Sequence, residues 1–170
     1  MNAFPSAVIR RIQMADAAAF ARIFEGLKVI RGTLQLPFAS ADQWRQRRTA
    51  DSSAGVISLV ASVGEELVGI LGLHTHPGLP RRQHAADLGM AVRDDWQGRG
   101  IGSALVRAAL ELADGWMQLR RVSLSVFADS EPAIRLYRRL GFEVEGTQRQ
   151  YTFRDGQYAD ALLMARLRTE

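Results

Sequence analysis

The residues with the clearest potential for chemistry are the glycines of one segment, Gln97-Gly98-Arg99-Gly100-Ile101-Gly102. Glycines at alternating positions let the backbone approach a ligand closely and turn its N–H groups outward. An amphipathic helical pattern starts in this segment, and the first N–H groups of a helix are unpaired and lie at the positive end of its dipole. The segment is therefore predicted to bind the phosphates of a ligand.

Two common phosphate-binding loops do not match this spacing. A P-loop needs a lysine followed by serine or threonine after its last glycine, and the segment has no such lysine. A dinucleotide fingerprint has the spacing Gly-x-Gly-x-x-Gly, whereas the spacing here is Gly-x-Gly-x-Gly. The ligand is expected to be neither a nucleotide in a P-loop nor a dinucleotide.

Nucleophilic and metal-ligating side chains are few. The chain has no cysteine, which excludes a thiolate nucleophile, a disulfide and a cysteine-based zinc site. His74 and His76, two apart on one predicted strand, would point to the same face as candidate bases or as half of a metal site. Because no third ligand is apparent, we expect these histidines and His84 to be exposed at strand ends, and no metal site is predicted.

The elements that must hold this segment follow from apolar periodicity. Alternating or continuous apolar runs predict seven strands, at 6–12, 56–62, 66–76, 83–92, 121–127, 142–152 and 157–166. Two of the connections are hairpins, one at Val63-Gly64-Glu65 and one at Arg154-Asp155-Gly156, where Asp-Gly is a strong turn signal. Beside the strands stand four helices.

Each predicted helix has a stripe of apolar residues or a capping residue. The first follows a cap at Asp16, the short second one runs from Ser40 or Asp42 through Trp44 and Arg48, the third runs from the glycine segment to about Leu119, and the fourth follows a cap at Ser130 and stops at Gly141. The stripes are Phe20, Ile23, Phe24, Leu27 and Ile30 in the first; Ile101, Leu105, Ala108, Ala109 and Leu112 in the third; and Ala133, Leu136, Tyr137 and Leu140 in the fourth. The element order predicts a single α/β domain over residues 1–170.

Composition restricts the partners. With 47% hydrophobic and 24% charged residues, no run near ~18 apolar residues and no signal-peptide pattern at the start, the sequence favours a cytoplasmic protein without a membrane partner. The formal charge of +4 could attract an anionic ligand or nucleic acid. Its arginines are scattered in pairs and not gathered in one run, so no nucleic-acid partner is expected.

Two motifs resemble those of one family. The segment 97–102 resembles the coenzyme A loop Q/R-x-x-G-x-G/A of the GNAT acyltransferases, and residues 130–142 resemble their signature N-x-x-A-x-x-L-Y-x-x-x-G-F, with Ser130 at the usual asparagine. The element order is also similar. The resemblance implies a single-domain GNAT fold of class α/β, in which about four helices flank a mixed, mostly antiparallel sheet of about seven strands.

This resemblance implies acetyl-CoA as the cofactor and a set of residues that bind it. In the family the strand before the loop carries a bulge that separates it from the next strand, and a backbone N–H near Met90 or Ala91 would then stabilise the oxyanion. The implied cofactor-binding residues are Met90, Ala91, Val92, Gln97, Gly98, Arg99, Gly100, Ile101, Gly102, Ser103 and Ser130.

Catalytic roles are also implied by the resemblance. Tyr137 would be the general acid toward the thiolate, although it also completes an apolar helix stripe. Asp87 would be the base that takes the ammonium proton through water, although a lone strand carboxylate is commonly solvated. Direct attack of the amine is expected, since an acyl-enzyme on cysteine is excluded.

Further similarity to YhhY-like amino-acid N-acetyltransferases suggests a free L-amino acid as the acceptor. The substrate-binding residues suggested in this way are Thr33, Leu34, Pro37, Tyr151, Tyr158 and Asp160. Protein N-termini and antibiotic- or herbicide-like amines are alternative acceptors, and a non-catalytic coenzyme A-binding regulatory module is an alternative of another class. A homodimer is common in the family and is expected here.

Overall fold

Seven strands form one sheet in the computed structural model, which describes residues 7–38, 40, 42–43 and 55–168. They are β1 (Val8–Arg11), β2 (Val56–Val63), β3 (Glu66–Thr75), β4 (Ala85–Val92), β5 (Arg121–Phe127), β6 (Glu143–Arg154) and β7 (Gln157–Leu167). Their order across the sheet is β1-β2-β3-β4-β5-β7-β6. All neighbours are antiparallel except β4 and β5, which are parallel. The mixed, mostly antiparallel sheet is confirmed.

Four helices of the described part cover the two faces of the sheet: α1 (Ala17–Ile23), α2 (Leu27–Gly32), α3 (Ile101–Gly115) and α4 (Glu131–Arg139). The crossover between the parallel strands β4 and β5 is α3, as a parallel pair requires. On one face α3 and α4 bury Leu105 and Tyr137 in a core with Leu71 and Leu88 of the sheet. On the other face, residues of α1 and α2 pack in a second core.

The predicted long helices and central strands are confirmed with small changes at their ends. The third predicted helix ends at Gly115 and not near Leu119, and β4 starts at Ala85 and not at 83. The Asp-Gly turn is confirmed, because Asp155 and Gly156 have φ of 52° and 78°. Ser6 of the first predicted strand, and Trp44 and Arg48 of the predicted second helix, lie outside the described residues.

The first predicted helix is wrong in one respect, because the chain forms two short helices there. The break falls at Glu25 and Gly26, where Gly26 has extended backbone angles (φ −76°, ψ 139°). The break shifts the helical phase, so Leu27 is 72% exposed and Val29 takes the buried position. Asp16 does not cap α1 with its side chain; its carboxylate accepts bonds from Arg10 and from the N–H of Gln13.

The expected bulge in β4 is absent from its pairing with β3. The register runs without a shift from Gly69 opposite Val92 to Thr75 opposite Ala86. Register shifts occur instead in β2 and twice in β6. Any separation of β4 from β5 must therefore come from sheet twist and the short parallel pairing, and not from an extra residue in β4. Within the part of the chain described, no helix has the length and apolar character needed to cross a membrane.

Candidate active site

The two parallel strands separate shortly after they pair. Only Ala85 to Asp87 of β4 face β5, opposite Arg121 to Ser123, although both strands continue for several residues. A cavity of about 980 Å³ opens along this gap, and residues 87–92 of β4 line one side of it. The N–H and C=O groups on this edge of β4 have no neighbouring strand there, so they are available to a ligand.

The glycine segment lies at one end of this cavity. Gly98 and Gly100 have φ of 74° and 82°, a backbone conformation that favours glycine, and Gly100 is the residue from which α3 begins. The side-chain amide of Gln97 donates through Nε2 to the backbone carbonyl of Val92 at 3.0 Å, and this bond joins the glycine segment to the end of β4. These φ angles orient the N–H groups at the start of α3, the geometry that phosphate binding requires.

Gly102 packs where α3, α4 and β4 meet. A Cβ atom at this position would lie 3.1 Å from Leu136 of α4 and 3.1 Å from the terminal methyl of Met90. Of the predicted cofactor-binding residues, Arg99 does not line the cavity; its guanidinium lies 4.8 Å from the centre of the Trp96 ring. Ser130 does line it, and its hydroxyl makes no capping bond to α4, contrary to expectation.

Tyr137 projects from α4 into the core beside the cavity. It is 6% exposed, its ring meets the edge of Phe142 with centroids 5.6 Å apart, and it belongs to the cavity lining. Burial raises the pKa of the Tyr137 hydroxyl to about 12, because the phenolate would lose its hydration. Among the described residues its hydroxyl makes no hydrogen bond. It is a neutral proton donor at ordinary pH.

Asp87 lies where β4 and β5 begin to separate. Its Oδ1 accepts a bond of 2.7 Å from the hydroxyl of Ser123, and its Oδ2 lies 3.5 Å from Nε2 of His76. The Asp87 side chain is 53% exposed and lines the cavity, as does His74, its cross-strand neighbour on β3. A carboxylate that is fixed by a neighbour yet open to solvent can accept a proton from a ligand.

The expectation that the histidines are exposed is wrong for His76. Its side chain is only 16% exposed, and its Nε2 is the single buried side-chain nitrogen or oxygen without a hydrogen-bond partner in the described part of the chain. The loop after β3 folds this ring back toward Asp87, which the strand pattern could not indicate. Within the same described residues, no three histidine, aspartate or glutamate side chains form a group that could hold a metal ion.

The predicted substrate residues divide into two groups. Thr33, Leu34 and Tyr151 line the cavity, whereas Pro37, Tyr158 and Asp160 do not. The exposed ring of Tyr158 stacks against Phe153.

Asp160 does not line the cavity, but it holds the backbone of a residue next to Tyr151, which does. Its Oδ1 accepts a 2.8 Å bond from the N–H of Gln150, whose φ is 52°. This bond lies in the register shift of β6 between Gln148 and Thr152, next to Tyr151. The ring of Tyr151 meets Phe127 with centroids 6.3 Å apart. Asp160 thus supports the bulge from which Tyr151 reaches the cavity.

The last turn of α2, which precedes the loop that lines the cavity, is joined to the β6–β7 hairpin. The Nε of Arg31 lies 2.7 Å from the carboxylate of Asp155, and Arg154 donates to the carbonyl of Arg31 at 3.0 Å. Arg154 also pairs with Asp129 and lies over the ring of Phe127. Two segments far apart in sequence therefore meet at this end of the site.

Several lining residues were missed by the sequence analysis. Arg135 and Arg139 lie one turn apart on α4 and line the cavity. Their i, i+4 spacing places both guanidinium groups on one face of the helix, which the sequence could have indicated. Gly72 and Gly89 face each other across β3 and β4 and leave part of the cavity floor without side chains. No local pattern marks these two glycines, since only the pairing register brings them together.

This architecture, with its split parallel pair and its glycine loop, defines a coenzyme A-dependent acyltransferase fold. The sequence profile of the Acetyltransferase (GNAT) family matches residues 23–142. The chain belongs to the GNAT acetyltransferase family, whose members use acetyl-CoA.

Particular relatives extend this assignment over almost the whole chain. The L-amino acid N-acetyltransferase AaaT of Escherichia coli (strain K12) is 41% identical over 161 residues, which cover 95% of this chain and 98% of that protein. Solved structures with the same fold include yncA from Salmonella typhimurium with its cofactor acetyl-CoA, at a TM-score of 0.81 and 20% identity over 95% of this chain and 93% of that one. Spermidine N-acetyltransferase from Vibrio cholerae in complex with CoA and spermine has a TM-score of 0.83 and 20% identity, with 95% of each chain covered.

The residues around the gap fit coenzyme A in three respects. The residues that line the cavity run from the glycine loop along β4 to Asp87. The positive φ at Gly98 and Gly100 leaves backbone N–H groups accessible, and the edge of β4 has free backbone groups for an amide-containing arm. Arg135 and Arg139 add positive charge on the α4 side of the cavity.

Proposed function

We propose that this protein transfers the acetyl group of acetyl-CoA to the α-amino group of a free L-amino acid. The observation that carries the proposal is the 41% identity to the AaaT amino-acid acetyltransferase over 95% of the chain. The cavity supports it, because an acidic side chain, Asp87, and a buried proton donor, Tyr137, line one continuous space. With any other amine as the acceptor, the reaction would still be an N-acetylation.

In this proposal the glycine segment and the edge of β4 hold the donor. The backbone N–H groups from Gln97 to Ser103 bind the pyrophosphate, and Met90 and Val92 pair through their backbones with the pantetheine arm. Ser130 and the α4 arginines line the same cavity. The donor supplies an acetyl thioester, and every other contribution to the reaction comes from the chain.

The proton movements are assigned to two side chains. Asp87, directly or through one water, accepts the proton of the acceptor's ammonium group, so that the neutral nitrogen can form its bond to the acetyl carbon. With the donor bound, the hydroxyl of Tyr137 would supply a proton to the sulfur as the C–S bond breaks. The second proton of the attacking nitrogen would return to the Tyr137 oxygen, directly or through water, so that the products are a neutral amide, a thiol and a neutral phenol. A backbone N–H of Met90 or Ala91 donates to the carbonyl oxygen as charge develops there, a contribution of about 3 kcal/mol in comparable sites.

The acceptor itself is assigned to the side of the cavity formed by the loop after α2 and by the β6 bulge. Thr33, Leu34 and Tyr151 border this side, and the hydroxyl of Ser123 holds the carboxylate of Asp87. Pro37, Tyr158 and Asp160 are not assigned contacts with the acceptor in this proposal. Asp160 contributes instead through the bulge that it supports.

Replacement of Asp87 by asparagine should lower kcat/KM for the amine by roughly tenfold to a hundredfold near pH 7, with little change in the KM for acetyl-CoA. The amide cannot accept a proton, but solvent reaches this half-exposed position and replaces part of the effect. The defect should shrink as the pH approaches ~9, because a growing fraction of the acceptor is already neutral. Steady-state rates across this range measure both effects.

The matched control for this variant is Asp95→Asn, which makes the same charge change at an exposed residue paired with Arg93. Its rate should equal that of the wild type. If Asp87→Asn lowers the rate by the same factor at every pH, the carboxylate does not act as the base.

The acceptor is tested by thiol release from acetyl-CoA with purified protein. The panel contains free amino acids, including Phe, Met and His, then polyamines, phosphinothricin-like amines and short peptides. Release that is fastest with free amino acids supports the proposal. Faster release with peptides or with herbicide-like amines assigns the enzyme to those acceptors, and tight coenzyme A binding without release from any acceptor favours a regulatory module.

We also propose that residues 1–170 act as one acetyltransferase domain in the cytoplasm, as a homodimer. The dimer is supported only by its frequency among similar proteins, and the cytoplasm only by the ordinary composition of the sequence. Sedimentation of the purified protein at micromolar concentration gives the oligomeric state, and fractionation of cells that express it gives its location.

A further inference from the structure

The N-terminus of α2 is capped by a carboxylate that comes from 66 residues further along the chain. Asp94 accepts the N–H of Lys28 at 3.0 Å through Oδ2 and the N–H of Val29 at 2.9 Å through Oδ1. The first N–H groups of a helix have no partner within the helix, and a side chain at the preceding position usually supplies one. Here that position is Gly26, which has no side chain.

Gly26 is shaped to this contact. A Cβ atom at Gly26 would lie 2.4 Å from Cγ of Asp94, a distance at which the two groups overlap. The φ of Gly26 is −76°, so glycine is required for close approach and not for backbone conformation. The capping contact therefore needs two residues: a glycine at position 26, which leaves room, and the carboxylate of Asp94, which fills it.

The two segments that meet at Asp94 carry different halves of the site. Asp94 lies two residues after β4 and opens the 3-10 turn Asp94–Trp96, which leads directly into the glycine segment. At the other end of α2, the hydroxyl of Thr33 donates to the carbonyl of Val29 at 2.9 Å, and the loop beyond it lines the cavity with Leu34 and Gln35. One carboxylate thus connects the cofactor loop to the loop assigned to the acceptor.

We propose that Asp94 is a positioning residue that holds the acceptor loop in register with the cofactor loop. A helix of six residues has little stability of its own, so its orientation depends on contacts at its ends. With the carboxylate removed, α2 and the loop from Thr33 to Gln35 lose their fixed distance from β4 and the glycine segment. The glycine segment keeps its own ties, including the bond from Gln97 to Val92.

This inference predicts a split between the two substrates. Asp94→Ala should raise the KM for the acceptor about tenfold, in line with the loss of a helix cap, while the KM for acetyl-CoA changes less than about twofold. Asp94→Asn keeps an oxygen that can accept one of the two N–H groups, so its acceptor KM should rise only about threefold. Gly26→Ala, which pushes the carboxylate away from the other side, should resemble Asp94→Ala.

The matched control is Asp95→Ala, which removes the neighbouring carboxylate of the same turn; it should leave both KM values unchanged. A second measurement needs no activity: hydrogen exchange at the amides of Lys28 and Val29 should accelerate in the Asp94 variants, while the amides of α3 exchange as in the wild type. A globally weakened Asp94→Ala protein would exchange faster in α3 as well, so the α3 amides distinguish the local loss of the cap from a general loss of stability.

Three results would overturn the proposal: an unchanged acceptor KM in Asp94→Ala, an equal rise in both KM values, or unchanged exchange at Lys28 and Val29. The inference rests on the proposed acetyl transfer but not on an amino acid as the acceptor, since any amine that the enzyme accepts can be used. Failure of the proposed function would appear in the wild-type protein, whereas failure of this inference appears only in the comparison between variants.

Discussion

Replacement of Tyr137 by phenylalanine should lower kcat by about a hundredfold or more and leave both KM values nearly unchanged. A positioned proton donor contributes 10²–10⁴-fold, and Tyr137 is the buried residue of α4 that lines the cavity. The change removes only the hydroxyl, which makes no hydrogen bond within the described residues. Phenylalanine keeps the ring contact with Phe142. Steady-state kinetics with the preferred amine measure the loss.

The raised pKa of Tyr137 gives this prediction a pH dependence with a definite sign. Because an acid must carry its proton to act, and burial raises the pKa to about 12, Tyr137 remains competent throughout the neutral and mildly alkaline range. The wild-type rate should therefore not fall between about pH 8 and 10 through loss of this proton. A fall in that interval that is absent in Tyr137→Phe would show a phenol with an ordinary pKa.

Thermal unfolding of Tyr137→Phe provides the control for folding. Since no hydrogen bond is lost and the buried ring remains, its melting temperature should stay close to that of the wild type. If the variant retains full kcat, Tyr137 has only its structural role in the core with Leu105 and Leu88, and the leaving thiolate obtains its proton from solvent.

Replacement of Gly100 by valine should abolish measurable binding of coenzyme A, a loss of at least about a hundredfold in affinity. Gly100 has a φ of 82°, which a β-branched residue adopts only with strain of about 1–3 kcal/mol. The backbone relieves this strain by turning, and the N–H groups at the start of α3 then lose their common direction. The added side chain would also occupy part of the cavity that Gly100 lines. Titration calorimetry with coenzyme A gives the affinity directly, without an acceptor.

The matched control is Gly64→Val, because Gly64 also has a positive φ, 58°, but lies in the β2–β3 turn and not in the cavity lining. It should lower thermal stability through the same kind of strain and keep the affinity for coenzyme A. Equal loss of affinity in both variants would mean that general destabilisation, and not the loop geometry, explains the result.

The parts of the fold that the sequence predicts well depend on local patterns. Ile101, Leu105 and Ala109 recur at helical spacing and are all buried, and so are Val122, Leu124 and Val126, the alternate apolar residues of β5. Two adjacent positive φ values were likewise predicted by Asp155-Gly156. In each case neighbours within a few residues determine the backbone, so the pattern is visible in one sequence.

Other features depend on residues far apart in the chain, and local patterns do not reveal them. Gly26 breaks the first predicted helix, and its conformation is stabilised by Asp94, a partner that no spacing rule identifies. The same holds for His76, which a loop turns toward Asp87, and for Asp160, whose bond to Gln150 lies across two strands. The candidate cofactor loop was therefore predictable, while the acceptor side of the cavity was only partly so.

The contacts between the last turn of α2 and the β6–β7 hairpin affect how such an enzyme could be redesigned. Arg31 pairs with Asp155, and Arg154 binds the carbonyl of Arg31, so each segment completes the other. A chimaera that receives only a new segment around residue 31 would leave the Asp155 carboxylate without its guanidinium partner, and one that receives only a new hairpin would leave Arg31 without its carboxylate. Segments 31–38 and 154–158 therefore form one exchangeable unit, and a change of acceptor by recombination should transplant both together.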